Sequence, residues 1–224
     1  MNAPALQQIQ YNKINRYSNN PEGLLKWITK HLPNERVVMG TGFGPPGIVL
    51  LDILFKVTRD ISVFYIDTGF LFDQTYDLKG KLQKKYGFEF LRFSTDLSPE
   101  MQADQHGEKL WEKDPDSCCN IRKVLPLKDS LKNYDVWITG IRKKQTQVRN
   151  QSKLIEFESR FEVIKINPLI NWTHNEVWDY IHTNKLPYNP LHDNSYPSIG
   201  CKQCTTHVCS GDDDRSGRWK GSNK

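Results

Sequence analysis

Two cysteines stand side by side in "DSCCNIRKVLPL" (residues 116–127): Cys118 and Cys119, with Arg122 and Lys123 about one helical turn later. A second pair, Cys201 and Cys204, is spaced C-x-x-C in "IGCKQCT" (199–205). Four thiols are the number that completes a zinc site or a cubane iron–sulfur site. Taken alone, the C-x-x-C also fits a redox pair, and the doublet fits a vicinal disulfide or two unrelated buried thiols. Zinc sites usually draw on cysteines two to four residues apart. Neighbouring cysteines on a helix diverge by about 100°, which is awkward for one tetrahedral ion. A cluster of several irons can take each thiolate on a different metal, so the pattern favours iron–sulfur over zinc. The fifth cysteine, Cys209, has no place in this pattern and reads as a bystander.

Four further segments carry groups suited to an anion. "GTGFGPPG" (40–47) is glycine-rich, and Gly42, Phe43 and Gly44 bring backbone close to whatever binds there, with amides at a helix start beyond them. It is neither a P-loop nor G-x-G-x-x-G. "IDTGFLF" (66–72) offers Asp67, Thr68 and Gly69 as partners for a nucleoside or sulfate group. "TGIRKKQTQVR" (139–149) supplies Arg142 and Arg149, and "GDDDRSGRW" (211–219) supplies Arg215 and Arg218. Arginine grips oxyanions through a planar fork of donors.

The elements that must position these groups alternate. "NNPEGLLKWITKHL" reads as a helix capped by Asn20 with Pro21 at its first position. "ERVVMGTGFGPPGIVLLDILFKV" and "ISVFYIDTGFLFDQTYDLKGKLQKKYG" each read as strand, turn, helix, the second strand ending at Asp67. "FEFLRFS" and "DVWITGIR" are a third and fourth strand. Residues 98–134 are helical, with interruptions expected at Asp114, Pro115 and Pro126. A weaker strand pair, "KLIEFES" and "FEVIKINP", precedes a helix opened by a Thr173–Glu176 capping box. This order predicts an α/β fold: a parallel twisted sheet flanked by helices, with ligands at the carboxyl ends of the strands. Residues 1–184 form the α/β domain, with a lead-in over 1–19. Residues 185–224, rich in Pro, Gly and Asp, form an irregular C-terminal arm that wraps back to the site as part of the same functional unit.

The chain has 224 residues, enough for one sizeable core, and 37% hydrophobic with 25% charged residues is ordinary for a globular protein. Its net charge of +5 suits a small anionic ligand; no run of five Lys or Arg points to nucleic acid. The longest apolar run, "IVLLDILF" (48–55), falls short of the roughly 20 residues a membrane span needs. The polar N-terminus carries no secretory pattern. A cytoplasmic setting is therefore expected, where thiols stay reduced and clustered cysteines mean metal or catalysis.

In combination these segments resemble the assimilatory adenylyl-sulfate and phosphoadenylyl-sulfate reductases of the adenine-nucleotide α-hydrolase-like (PP-loop) superfamily. The match spans about residues 35–220, and the double cysteine with "IGCKQCT" and "RSGRW" is its most specific part. The resemblance implies reduction of adenosine 5′-phosphosulfate, or of its 3′-phosphorylated form, to sulfite and an adenine nucleotide, with thioredoxin or glutaredoxin as reductant. It implies a [4Fe–4S] cluster on Cys118, Cys119, Cys201 and Cys204. Lys123, Arg142, Arg149, Arg215 and Arg218 would neutralise the substrate, and Lys123 would link the cluster to its sulfonyl group. The family's nucleophile is a cysteine in a C-terminal Glu-Cys-Gly-Leu-His segment, expected beyond Lys224, so no catalytic residue is named within the chain. Two other readings stand beside it. One is a PP-loop ATPase such as a tRNA-thiolating enzyme, although "GTGFGPPG" lacks the serine and aspartate of that loop. The other is a non-catalytic nucleotide-binding protein with a cluster. The superfamily's exposed sheet edges also allow a homo-oligomer.

Overall fold

The computed structural model describes residues 14–219. Asn20 caps the first helix, α1 (Pro21–His31), accepting from the Gly23 amide at 2.8 Å. The chain then alternates through β1 (Val37–Gly40), α2 (Pro45–Val57), β2 (Ser62–Ile66), α3 (Asp73–Tyr86) and β3 (Leu91–Phe93). A helical stretch follows: α4 (Pro99–His106), α5 (Leu110–Lys113), α6 (Pro115–Cys119), a π-helical segment (Asn120–Val124) and α7 (Leu125–Leu131). It leads into β4 (Val136–Ile138), then β5 (Ile155–Glu158), β6 (Val163–Ile166) and α8 (His174–Thr183). The expected capping box opens α8, with Thr173 and Glu176 each accepting from the other's backbone amide.

The strands form one sheet in the order β3-β2-β1-β4-β6-β5. Every pairing is parallel except β5 with β6. The four residues between those two strands cannot cross over the sheet, so β5 must run antiparallel as its edge. On one face, Val37, Met39, Val63, Val136 and Ile164 pack against α1, α2, α3 and α8 through Leu24, Ile28, Leu50, Leu54, Leu78 and Ile181. On the other face, Val38, Phe64, Phe93 and Val163 meet Leu127 and Leu131 of α7. Two covered faces explain the continuous apolar runs of the central strands.

Strand order reverses at β1, whose neighbours are β2 and β4. The loops leaving β1 and β4 flank that reversal, the position at which open α/β sheets bind ligands. They are in close contact: a Cβ on Gly140 would lie 3.1 Å from the Gly47 nitrogen and 3.1 Å from the Pro46 carbonyl carbon.

Pro126 was expected to break the helical stretch, and it does not. Lacking an N–H, it has no bond to give the carbonyl one turn back, and its ring would crowd that carbonyl. The wider π turn over Asn120–Val124 absorbs both defects, with Leu125 N–H reaching Asn120 O five residues back. The break at Asp114–Pro115 does occur, and the Asp114 side chain caps α6 through the Ser117 amide at 2.9 Å.

From Lys185 the described chain is irregular, with short 3₁₀ turns at Pro190–Asn194 and Lys202–Cys204. Buried Asn189 anchors it to the start of α3 through Thr75 Oγ1 at 3.1 Å. Further on it pairs with the loop after β2, through a bridge between Leu71 and Cys201 and a 2.7 Å bond from Lys202 N to Phe70 O.

Gly140→Ala should destabilise the fold by about 1–3 kcal/mol, because the crowding atoms are backbone. Gly80→Ala, on α3 with open space where its Cβ would stand, should stabilise by about 0.5–1 kcal/mol. Urea unfolding midpoints at constant m-value check both.

Candidate functional site

The four cysteines meet. Cys118 and Cys119 from the end of α6, and Cys201 and Cys204 from the arm, line one pocket with Phe70, Trp111, Pro115, Arg122, Lys123 and Gln203. The pocket holds about 290 Å³, its open mouth included. All five cysteines of the chain are free thiols, Cys118 and Cys201 buried and Cys209 exposed. Among the described residues no three His, Cys, Asp or Glu side chains group tightly enough to enclose one ion. The four cysteines share the pocket's lining instead.

Arg122, 2% exposed, anchors the first cysteine-bearing segment to the loop that the arm pairs with. Its guanidinium donates to Thr68 O at 2.9 Å, Ser98 O at 2.9 Å, Leu97 O at 3.3 Å and Gln102 Oε1 at 2.6 Å. It also lies 4.5 Å from the centre of the Phe70 ring. One cation thereby ties the π segment to the loop after β2 and to the start of α4. Gly69, at φ +71°, takes the left-handed turn that this crossing requires; a Cβ there would stand 3.3 Å from Arg122 Nη1. In the sequence Arg122 looked like the twin of Lys123, yet the two diverge in role. Lys123 faces the pocket, with Nζ 3.8 Å from Cys119 Sγ.

The loop residues divide between shaping and facing the site. Asp67 is buried with both carboxylate oxygens engaged, Oδ1 by Gly69 N and Tyr76 OH, Oδ2 by Arg92 Nε at 2.8 Å. Thr68 Oγ1 accepts from Phe70 N and lies 3.3 Å from Cys201 Sγ. In the glycine-rich loop the Phe43 side chain turns into the core, 3% exposed, against Tyr65 and Phe90. Gly42 and Gly44 have nothing within 4 Å of where a Cβ would be, so the backbone there is open. One premise of the anion argument does not survive. Pro45 and Pro46 open α2 and carry no N–H, which leaves Gly47 as the first amide of that helix.

The four arginines lie near enough to feel one another's charge. Among the described residues none of Arg142, Arg149, Arg215 and Arg218 has an ion pair within 4 Å. Arg215 and Arg218 both reach Ser198 Oγ at 3.4 Å, and Arg218 lies against the Gly200 backbone beside Cys201. Burial pushes Arg142, Arg149 and Arg218 below the ordinary guanidinium range. Like charge adds to this: Arg149 feels Arg215 and Arg142, and Arg218 feels Arg215. The Nε atoms of Arg142 and Arg218 are buried with no hydrogen-bond partner. Buried cations with unused donors are poised for an anion. Asp214 partly offsets the field at Arg142.

The chain matches the phosphoadenosine phosphosulfate reductase domain family over residues 36–207. The chain belongs to this family. Among its relatives, an adenosine 5′-phosphosulfate reductase of Halalkalibacterium halodurans is 40% identical, covering 97% of this chain and 95% of that one. One from Bacillus cereus is 44% identical over 89% of this chain and 86% of its own. A phosphoadenylyl-sulfate reductase from Candida auris, solved as a phosphate complex, superposes with a TM-score of 0.74 at 33% identity, covering 90% of this chain and 98% of that one. The expected family and fold are thus borne out, and the chain is an oxidoreductase acting on a sulfur group.

Within this reductase, every candidate residue lies among the described positions. Two groups at the thiol pocket escaped the sequence reading. Of the cationic pair beside the cysteines only Lys123 was given a role, and Gln102 sits in a helix that carries no motif. No sequence signal distinguishes a buried arginine from an exposed neighbour on the same turn. Burial pushes the Cys118 thiol up, and Gln102's hydrogen bond works against that. Burial likewise raises Cys204 to about 11, with Cys201 adding and Lys123 opposing.

Both thiols hold their protons more tightly in the folded chain than the unfolded one, whose thiols titrate near 8.5. The Cys204 part of that contribution to the metal-free chain is complete below about pH 8.5 and disappears as pH rises through about 11. Denaturant titrations of metal-free protein between pH 7.5 and 10.5 should show stability falling with pH. Cys118→Ala/Cys204→Ala should flatten that slope.

Proposed function

We propose that this chain reduces adenosine 5′-phosphosulfate, the substrate named for the bacterial relatives above, to sulfite and AMP. Thioredoxin or glutaredoxin supplies the two electrons. The observation that carries the reading is the continuity of the site. The pocket of four thiols passes through Lys123 and Arg218 to Arg215, Arg149 and Arg142, all cations without a carboxylate partner within 4 Å among the described residues. The substrate's adjoining sulfate and phosphate match those cations in charge. Gly42, Phe43 and Gly44 would meet the nucleotide through backbone. Thr68 and Gly69 border the sulfate end, and Asp67 holds their loop in shape.

The donor set of the pocket is all sulfur, soft and spread around a volume, which suits a [4Fe–4S] cluster better than one zinc ion. Cys118, Cys119, Cys201 and Cys204 would be its ligands. When bound, the cluster supplies a local electrostatic field and a structural tie between the arm and the π segment. Lys123, between Cys119 and the arginines, would hold the sulfonyl oxygens, and Arg215 and Arg218 would hold the phosphate bridge.

The proposed nucleophile is the cysteine thiolate of the Glu-Cys-Gly-Leu-His segment that the resemblance implies. It attacks the sulfuryl sulfur, the bond from sulfur to the phosphate oxygen breaks, and AMP leaves with that electron pair. The resulting Cys–S-sulfonate is cleaved by the dithiol reductant, which ends as a disulfide while sulfite departs. The arginine field favours both the thiolate and the departing phosphate. The unpaired state of all five cysteines fits a cytoplasmic setting.

Protein carrying the Glu-Cys-Gly-Leu-His segment should release sulfite from adenosine 5′-phosphosulfate with a thioredoxin system. Binding without sulfite release would favour a non-catalytic protein. Arg142→Ala or Arg218→Ala should each weaken nucleotide binding by about 1.5–3 kcal/mol in calorimetry. Unchanged affinity at both positions would sink the proposed anion site.

A further inference from the structure

We propose that Gln102 is a positioning residue of the thiol pocket, aiming a neutral amide N–H at Cys118 and holding that sulfur in place for the cluster. The inference rests on the cluster assignment above. Gln102 lies on α4, 2% exposed, in a segment without motif.

Its amide stands between a guanidinium and a sulfur. Arg122 Nε is 2.6 Å from Gln102 Oε1. A guanidinium can only donate, so the atom facing it must be the amide oxygen. That leaves Nε2 on the opposite side, 3.7 Å from Cys118 Sγ, within hydrogen-bond range of a sulfur acceptor. Arg122 cannot rotate to release this arrangement, because three backbone carbonyls hold its other nitrogens. The direction of the Cys118 contact is therefore set by backbone at Thr68, Leu97 and Ser98, relayed through two side chains.

The chemistry suits a thiolate ligand. An N–H donor stabilises the sulfur's negative charge and fixes its orientation, the role that outer hydrogen-bond partners play at metal sites. The neighbouring thiols have partners of other kinds, the Lys123 ammonium for Cys119 and the Thr68 hydroxyl for Cys201. Cys118 is the one supported by a buried amide.

A merely structural Gln102 would serve only as an acceptor for Arg122, and two variants separate the roles. Gln102→Glu keeps an oxygen for Arg122, removes the N–H and sets a carboxylate beside the sulfur. Gln102→Met keeps the shape and removes both polar atoms. In full-length protein purified anaerobically, iron and sulfide per chain and the decay of the cluster's visible absorbance in air would be followed. Thermal unfolding of the metal-free forms would be measured in parallel. Metal-free Gln102→Glu should unfold as the wild type does, yet lose its cluster about tenfold faster or more. Gln102→Met should lose it comparably fast. A wild-type cluster lifetime in either folded variant overturns this inference alone. A wild-type chain that takes up no iron overturns the cluster assignment and this inference with it.

Discussion

A single buried guanidinium governs how the site is assembled. Arg122 places four donors on three backbone carbonyls and one amide oxygen, which compensates much of the penalty of removing its charge from water. Those partners come from the loop after β2, the turn before α4 and α4 itself. Because the same π turn carries Lys123 and follows directly on Cys118 and Cys119, locking Arg122 also locks the thiols. The apolar ring of Phe70 under the guanidinium completes the cage. The adjacent bridge from Leu71 to Cys201 then delivers the second cysteine pair to the first.

The four arginines of the proposed anion site have the opposite character. Arg122 is nearly saturated with acceptors, whereas Arg142 and Arg218 keep buried Nε atoms that nothing satisfies. Mutual repulsion and burial both oppose holding these charges together. The fold sustains that arrangement because the sheet and its two packed faces supply stability elsewhere. In the proposed complex, an incoming sulfate–phosphate would relieve the repulsion and satisfy the donors at once, turning unfavourable electrostatics of the free chain into binding energy. The difference between these two kinds of buried arginine separates a part of the scaffold from a part of the site.

Several loop residues with polar side chains act mainly by holding shape. Asp67 spends its carboxylate on Gly69, Tyr76 and Arg92, and Phe43 spends its ring on the core. The surface they leave open is backbone at Gly42 and Gly44, the part proposed to meet the nucleotide. Pro45 and Pro46 remove two amides from the start of α2, and the positive charge at this rim comes from side chains of the arm and of the loop after β4.

The sequence by itself determined the alternation of strands and helices, the Asn20 and Thr173 caps, the covered sheet and the identity of the four thiols. The elements, caps and sheet follow from periodicity and local cap chemistry, which act within about one element's length, and the four thiols from the motifs that carry the family resemblance. Only the tertiary structure decided that Pro126 is absorbed into a π turn and that β5 runs antiparallel at an edge. Only it separated Arg122 from Lys123, one sunk into backbone carbonyls and the other facing the pocket, and brought Gln102 against Cys118 across sixteen positions of chain. Burial and hydrogen-bond partnership between distant segments depend on how elements pack, and neighbouring cations on one helical turn carry no local mark of which will be enclosed.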